Sequence, residues 1–154
     1  MSVKILNTAI DKRLASQYIF SFIEVNKRKE RVSSMNMKQS VEVCFKKYVT
    51  FSGRASRSEY WWFLLFYIAV YLLFSYLIPV LINGPLISLV IVSLVPIALF
   101  LPTLSVSIRR LHDLDRSGHW YWLVFIPVIG SIIIFIWFCL KGTEGENRFG
   151  SLDS

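Results

Sequence analysis

Three stretches of this 154-residue chain, 61–82, 86–108 and 120–140, contain no Asp, Glu, Lys or Arg. A water-soluble helical protein needs a polar face on each such helix, and these runs offer none. Cysteine is scarce as well, with only Cys44 and Cys139. Two cysteines exclude a disulfide framework and are read as free thiols behaving as small apolar residues. Histidine occurs only at 112 and 119, and no glycine-rich phosphate loop, nucleophile motif or pair of carboxylates within an apolar run is present. These absences remove the sequence support for nucleotide chemistry, nucleophilic catalysis or a proton relay.

What the chain does have is apolar mass: 55% hydrophobic residues and 16% aromatic ones, with a mean hydropathy of +0.53. A helix rises about 1.5 Å per residue and the hydrocarbon core is about 30 Å thick, so roughly 20 apolar residues cross it. Each charge-free run reaches that length. The reading is an all-α integral membrane protein with three transmembrane helices near 61–82, 86–108 and 120–140.

The net charge of +7 comes from 17 Lys and Arg against 10 Asp and Glu. Its distribution argues against a nucleic-acid partner: 12 of the basic residues precede Trp61, three fall at 109–116 and two follow the third run. Basic residues near span ends are retained on the cytoplasmic side, so the N-terminus and the 109–119 loop are expected inside. The uncharged "NGP" at 83–85 suits a tight turn on the far side. Three spans then put the C-terminus outside, with Cys44 and Cys139 on opposite faces.

Residues 1–36 lack the organisation of the rest and read as a poorly ordered extension. Met35 and Met37, just before organised sequence begins, raise the possibility of a later start. From Lys38, the residues Val41, Cys44, Phe45, Tyr48 and Val49 share one side of a helical wheel. That marks a short amphipathic helix, suited either to the headgroup layer or to packing on the protein's own loops. In "SGRASRSEYWW", Gly53 permits a turn, Ser56 or Ser58 can cap the next helix, and Glu59 complements its dipole. Tyr60, Trp61 and Trp62, and again Trp120, Tyr121 and Trp122, form aromatic collars of the kind found at the headgroup boundary. Pro79, Pro96, Pro102 and Pro127 lie in or at the ends of the spans and are read as packing kinks that need hydroxyl compensation.

Taken together, "KKYVTFSGRASRSEYWWF", "SVSIRRLHDLDRSGHWYWLVFIPVIG" and "GTEGENRFG" resemble one family, the small bacterial inner-membrane proteins of the YhaH and YhaI type, whose biochemical role is uncharacterised. The resemblance runs from about Lys38 to Gly150. Asp115 stands where that family commonly has glycine, His119 where it commonly has tryptophan, and its members usually begin shortly before the position of Tyr48. The resemblance implies an inner-membrane protein and no catalytic residues.

The charged motifs bring Arg54, Arg57 and Glu59 to the same depth as Arg109, Arg110, His112, Asp113 and Arg116. Unpaired charges at a partly desolvated interface are costly, so Glu59 and Asp113 are expected to pair with arginines of the facing motif. Surplus arginine suits anionic phospholipid headgroups. A metal site from His112, Asp113, Asp115 and His119 lacks an established ligand spacing, so neither metal nor other cofactor is expected. The tail motif adds Asn147 and Arg148, on a loop folded back on the bundle, with a buried partner sought for Arg148. The functional expectation is a non-enzymatic structural or accessory membrane component that associates with itself or with a larger membrane partner. The alternatives are a phospholipid-binding protein and an oligomeric transporter or channel component.

Overall fold

The computed structural model describes residues 14–24, 26–27 and 35–152. The chain divides into two units, Met1–Arg31 and Val32–Ser154. In the first, residues 14–24 are helical with exposed side chains; the proposed extension and later start fall partly outside the described residues.

The second unit is helical, and among the described residues its only β feature is an isolated bridge between Asn147 and Gly150. Helix α1, Met37–Lys46, begins with a capping box: the Asn36 side chain accepts from the Gln39 amide, and the Gln39 side chain accepts from the Asn36 amide. This satisfies two donors that a helix start otherwise leaves orphaned. Its apolar side joins Cys44 and Val41 to Ala55, Phe63 and Val106, with Phe45 edge-on to Phe63 and Phe66. Thus α1 rests on the protein itself, while Lys38 and Lys46 point out.

Helix α2, Arg57–Leu81, starts at Ser56, whose hydroxyl accepts from the Glu59 amide. Helix α3, Pro85–Asp113, starts with proline in its first turn, where no N–H is needed. Both are long and apolar enough to cross a membrane. They pack against each other as a hairpin turning at Asn83–Gly84.

The third apolar run does not form one helix. A 3-10 helix, Gly118–Phe125, is followed by Pro127 and then helix α4, Ile129–Cys139. With 11 residues, α4 is about 16 Å long, half of a hydrocarbon core. Proline at 127 has no N–H for a continuing helix, and Val128 takes a positive φ of 64°. The chain then doubles back so closely that a Cβ on Gly130 would lie 1.7 Å from the Leu123 carbonyl oxygen. Both limbs lie along the same end of the hairpin: Gly118 against Ile108, Trp120 edge-on to Trp137, and Ile134 and Phe138 packed with Leu111.

This corrects two expectations. The segment 120–140 is a bent half-length hairpin rather than a third through-going helix, and the tail returns to the end where α2 begins. Cys139 therefore does not lie opposite Cys44, since its carbonyl accepts from Arg57 while the Cys44 thiol approaches Glu59.

Candidate functional site: a buried arginine–carboxylate cluster

At that shared end, five ionic side chains are almost wholly enclosed: Arg54, Glu59, Arg109, Arg110 and Asp113. The last turn of α3 supplies Arg109, Arg110 and Asp113, the first turn of α2 supplies Glu59, and the turn before it supplies Arg54. Arg109 donates to Glu59 at 2.6 Å. Arg54 grips Asp113 through Nε at 3.0 Å and Nη2 at 2.8 Å, and Arg110 donates to the other oxygen of the same carboxylate. Each carboxylate thus meets an arginine of the opposite motif.

Three guanidiniums against two carboxylates leave an excess positive charge in the interior, where an uncompensated ion is expensive. Backbone carbonyls offset it. Arg110 donates to the Phe138 and Leu140 carbonyls, which belong to the negative C-terminal end of α4. Arg54 donates to the carbonyls of Thr143 at 2.6 Å and Gly150 at 3.3 Å, and to that of Gly145. Arg109 is less well served, for its Nε and Nη2, like the Arg110 Nε, have no acceptor among the described residues.

The tail forms a strap over this cluster. Thr143 donates its amide (2.8 Å) and hydroxyl (3.1 Å) to the Asp113 carbonyl. Asn147 donates to the His112 carbonyl at 2.9 Å. Gly142 must be glycine, since a Cβ there would lie 1.9 Å from the Asp113 carboxylate. Phe149 stacks on the His112 ring at 3.9 Å with planes 3° apart, and the His112 Nδ1 meets the Gly53 carbonyl at 3.1 Å. Arg148 is exposed rather than buried, pairing with Asp115 at 3.2 Å.

Other candidates stand apart. Arg57 is exposed and donates to the Cys139 carbonyl at 3.3 Å, while Arg116 lies 3.9 Å over the Trp137 ring. Neither carries an ion pair to a carboxylate among those described. The four residues weighed as metal ligands diverge: Asp113 faces arginines, Asp115 faces Arg148, His112 faces Gly53 and Phe149, and His119 faces Ser117. Among the described residues, no group of three or more His, Cys, Asp and Glu could hold a metal ion.

Sequence reasoning did not single out Thr143, Gly142, Phe149 or Tyr48 as site residues. Tyr48 donates its hydroxyl to the Ala98 carbonyl, the acceptor that Pro102 leaves without its helical donor. The spacing of Ala98 and Pro102 was a signal for an orphaned acceptor, though not for which donor would reach it. Ser105 likewise meets the carbonyls of Lys47 and Thr50 at 2.9 and 2.6 Å, fixing the turn after α1 to α3. Cys44, wholly buried beside Glu59, has its thiol pKa pushed up to about 12 by burial and then by that carboxylate.

A hairpin of apolar helices sealed at one end by buried ion pairs is the frame of a small membrane protein. The chain belongs to the family described as "Protein of unknown function (DUF805)", whose pattern matches residues 48–151. It is 44% identical over 107 residues to inner membrane protein YhaI of Escherichia coli (strain K12), covering 69% of this chain and 87% of that one. It is 42% identical over 113 residues to inner membrane protein YhaH of the same organism, covering 68% and 88%. A more distant relative, the uncharacterized protein YiiR, is 27% identical over 127 residues, covering 66% and 84%. No solved structure matches this chain. The relatives' location in a bacterial inner membrane fits the apolar helices found here.

Proposed function

We propose that this chain is a non-catalytic structural or accessory component of the inner membrane, in which the charge cluster fastens a half-membrane hairpin onto a two-helix hairpin. In this topology α2 and α3 span, 118–139 enters and leaves from one side, and both ends of the Val32–Ser154 unit are cytoplasmic. The observation that carries it is the inward use of the arginines. Arg54, Arg109 and Arg110 donate to groups of the protein itself, as expected of a clamp rather than a ligand site. The orientation is supported by Lys38, Lys46, Arg57, Arg116, Lys141 and Arg148, all outside the uncharged turn at 82–84. The exposed apolar faces of α2 and α3 leave room for self-association or a larger membrane partner.

A double-mutant cycle tests the clamp. Asp113→Ala should lower the melting temperature in detergent sharply, and adding Arg54→Met should recover part of the loss by removing an orphaned charge. Strict additivity would overturn the proposal. A second reading has its own observation: Arg57 and Arg116 have no carboxylate partner among the described residues, and they lie against the Cys139 carbonyl and the Trp137 ring, at the depth of an aromatic belt. These two suit lipid phosphate. Under that reading, Arg57→Gln and Arg116→Gln weaken retention of phosphatidylglycerol while stability in lipid-free detergent stays unchanged.

A further inference from the structure

Helix α2 carries tyrosines at 60, 67, 71 and 76. Tyr60 lies at the enclosed end, against Phe138. Tyr76 stands 77% exposed within five residues of the other end of the helix, where headgroups begin. Tyr67 and Tyr71 have neither setting. They flank Ala69, the middle residue of the 25-residue helix, so in a span their hydroxyls sit in the hydrocarbon core.

Nothing in this chain bonds them there. The two rings are parallel, with planes 5° apart and centroids at 6.5 Å, and neither hydroxyl has a hydrogen-bond partner among the described residues. Shorter hydroxyls turn back on their own helix: Ser75 donates to the Leu72 carbonyl, Ser93 to Val90 and Thr103 to Leu99. A phenol cannot, because its rigid ring carries the oxygen away from its own backbone. Tyr48 shows what such a group needs, since its hydroxyl reaches the Ala98 carbonyl of another segment. Lipid tails supply no donor or acceptor, so a hydroxyl left unbonded among them is costly. Tyr71 is 38% exposed and Tyr67 half-buried, with Leu64 and Ile68 on the same face as Tyr71 at helical spacing. The face is apolar around two hydroxyls that call for a polar partner at mid-depth.

We propose that this face of α2 pairs with the same face of a second copy, through hydrogen bonds between the Tyr67 and Tyr71 hydroxyls of the two chains. The inference rests on α2 spanning the membrane, and it gives the accessory component its partner. Copies inserted by the same charge rule share one orientation. A dimer of them has its two-fold axis along the membrane normal, which sets each residue at the same depth as its twin. A group that only donates, or only accepts, cannot bond its twin. A phenol does both. Twin tyrosines therefore satisfy each other with no further polar group, and in hydrocarbon such interhelical bonds favour association.

The test labels two pools of the full chain with donor and acceptor fluorophores at the exposed Cys139. They are reconstituted together in vesicles of phosphatidylethanolamine and phosphatidylglycerol, and energy transfer is followed as the chain is diluted in lipid. The unaltered chain should dimerise. Tyr67→Phe combined with Tyr71→Phe should weaken dimerisation about tenfold, equivalent to about 1.4 kcal/mol, without lowering the melting temperature, because phenylalanine keeps the ring and suits hydrocarbon. A chain that stays monomeric at every density, or a double variant that dimerises as tightly, would overturn the proposal. Disulfide trapping adds position. In a Cys139→Ser background, Tyr71→Cys should cross-link between copies, whereas Leu73→Cys, 57% exposed but about 200° around the helix, should not; equal cross-linking at both rejects the pairing. An impermeant maleimide separates this failure from failure of the span. Labelling of Leu73→Cys in sealed vesicles would show that α2 is not embedded, removing the span and the dimer together, whereas protection at 73 with no cross-link at 71 rejects the dimer alone and leaves the clamp standing.

Discussion

The two ends of the α2–α3 hairpin are built on opposite principles. At one end, ion pairs, carbonyl crowns, α1, the bent 118–139 segment and the tail strap converge, and Arg109, Arg110 and Leu111 are completely enclosed. At the other, Tyr76, Val80, Leu81 and Leu86 stand more than 60% exposed. Lipid covers apolar side chains as well as protein does, so the far end gains little by adding layers. The near end has to place five charged side chains where water and lipid are both excluded, and every layer there serves that purpose. The tertiary fold is thus specified at one end, while the other is specified mainly by length and hydropathy.

The largest expected effect comes from breaking the near end. Asp113 holds two arginines and its carbonyl holds Thr143. Asp113→Ala should cost about 3–5 kcal/mol, because two buried cations lose their shared counter-charge. Thermal unfolding in detergent measures it. Gly142→Ala should approach the same loss without touching a charge, since its methyl would collide with that carboxylate. By contrast, Leu81→Ala or Leu86→Ala at the far end should leave the midpoint nearly unchanged. Equal sensitivity of the two ends would break the contrast.

Topology gives the next sharpest test. A reporter fused after residue 150 should report the same compartment as one inserted near residue 115, because the tail is bonded to the end of α3. Opposite compartments would make 120–140 a full span and dismantle the strap. The sequence made the two long helices and the α1 stripe legible, since both rest on local periodicity and length. The return of the third run was not legible from composition: its 21 residues satisfy every length criterion for a span. What decides it is Pro127 together with Gly130, whose missing side chain admits the Leu123 carbonyl. That each carboxylate needed an arginine of the other motif followed from charge and depth. Which arginine it met did not, because Arg54 and Arg57 differ by less than one helical turn in sequence and only their geometry separates an enclosed guanidinium from an exposed one.

A moderate effect is expected where α1 is tied to α3. Tyr48→Phe removes the donor to the carbonyl freed by Pro102, leaving an acceptor unsatisfied at a cost of about 1–3 kcal/mol. Pairing it with Pro102→Leu, which supplies a helical N–H to the same oxygen, should restore much of the loss. Failure of that rescue in the melting temperature would show that the tyrosine acts through its ring packing instead.

The smallest effect concerns chemistry rather than stability, and it probes how tightly the near end encloses Cys44. Alkylating reagents attack the thiolate, and Cys44 is enclosed and its pKa pushed up to about 12. At pH 8 its thiolate is scarce and the reagent has no path to it, so maleimide should leave Cys44 unmodified in the folded chain and label it once denatured. Raising the pH from 8 to 9.5 should add little labelling: the folded thiol titrates above that window, whereas an unperturbed cysteine passes through its pKa of about 8.5 within it. Glu59→Gln removes the carboxylate that adds to the upward shift, and it also leaves Arg109 with no carboxylate. Both changes favour the thiolate, so labelling should rise in the variant, and its pH dependence should move down toward that of a free cysteine. Rapid labelling of Cys44 in the unaltered chain would mean that α1 detaches on the timescale of the reaction, and that the enclosed end is looser than its ion pairs require.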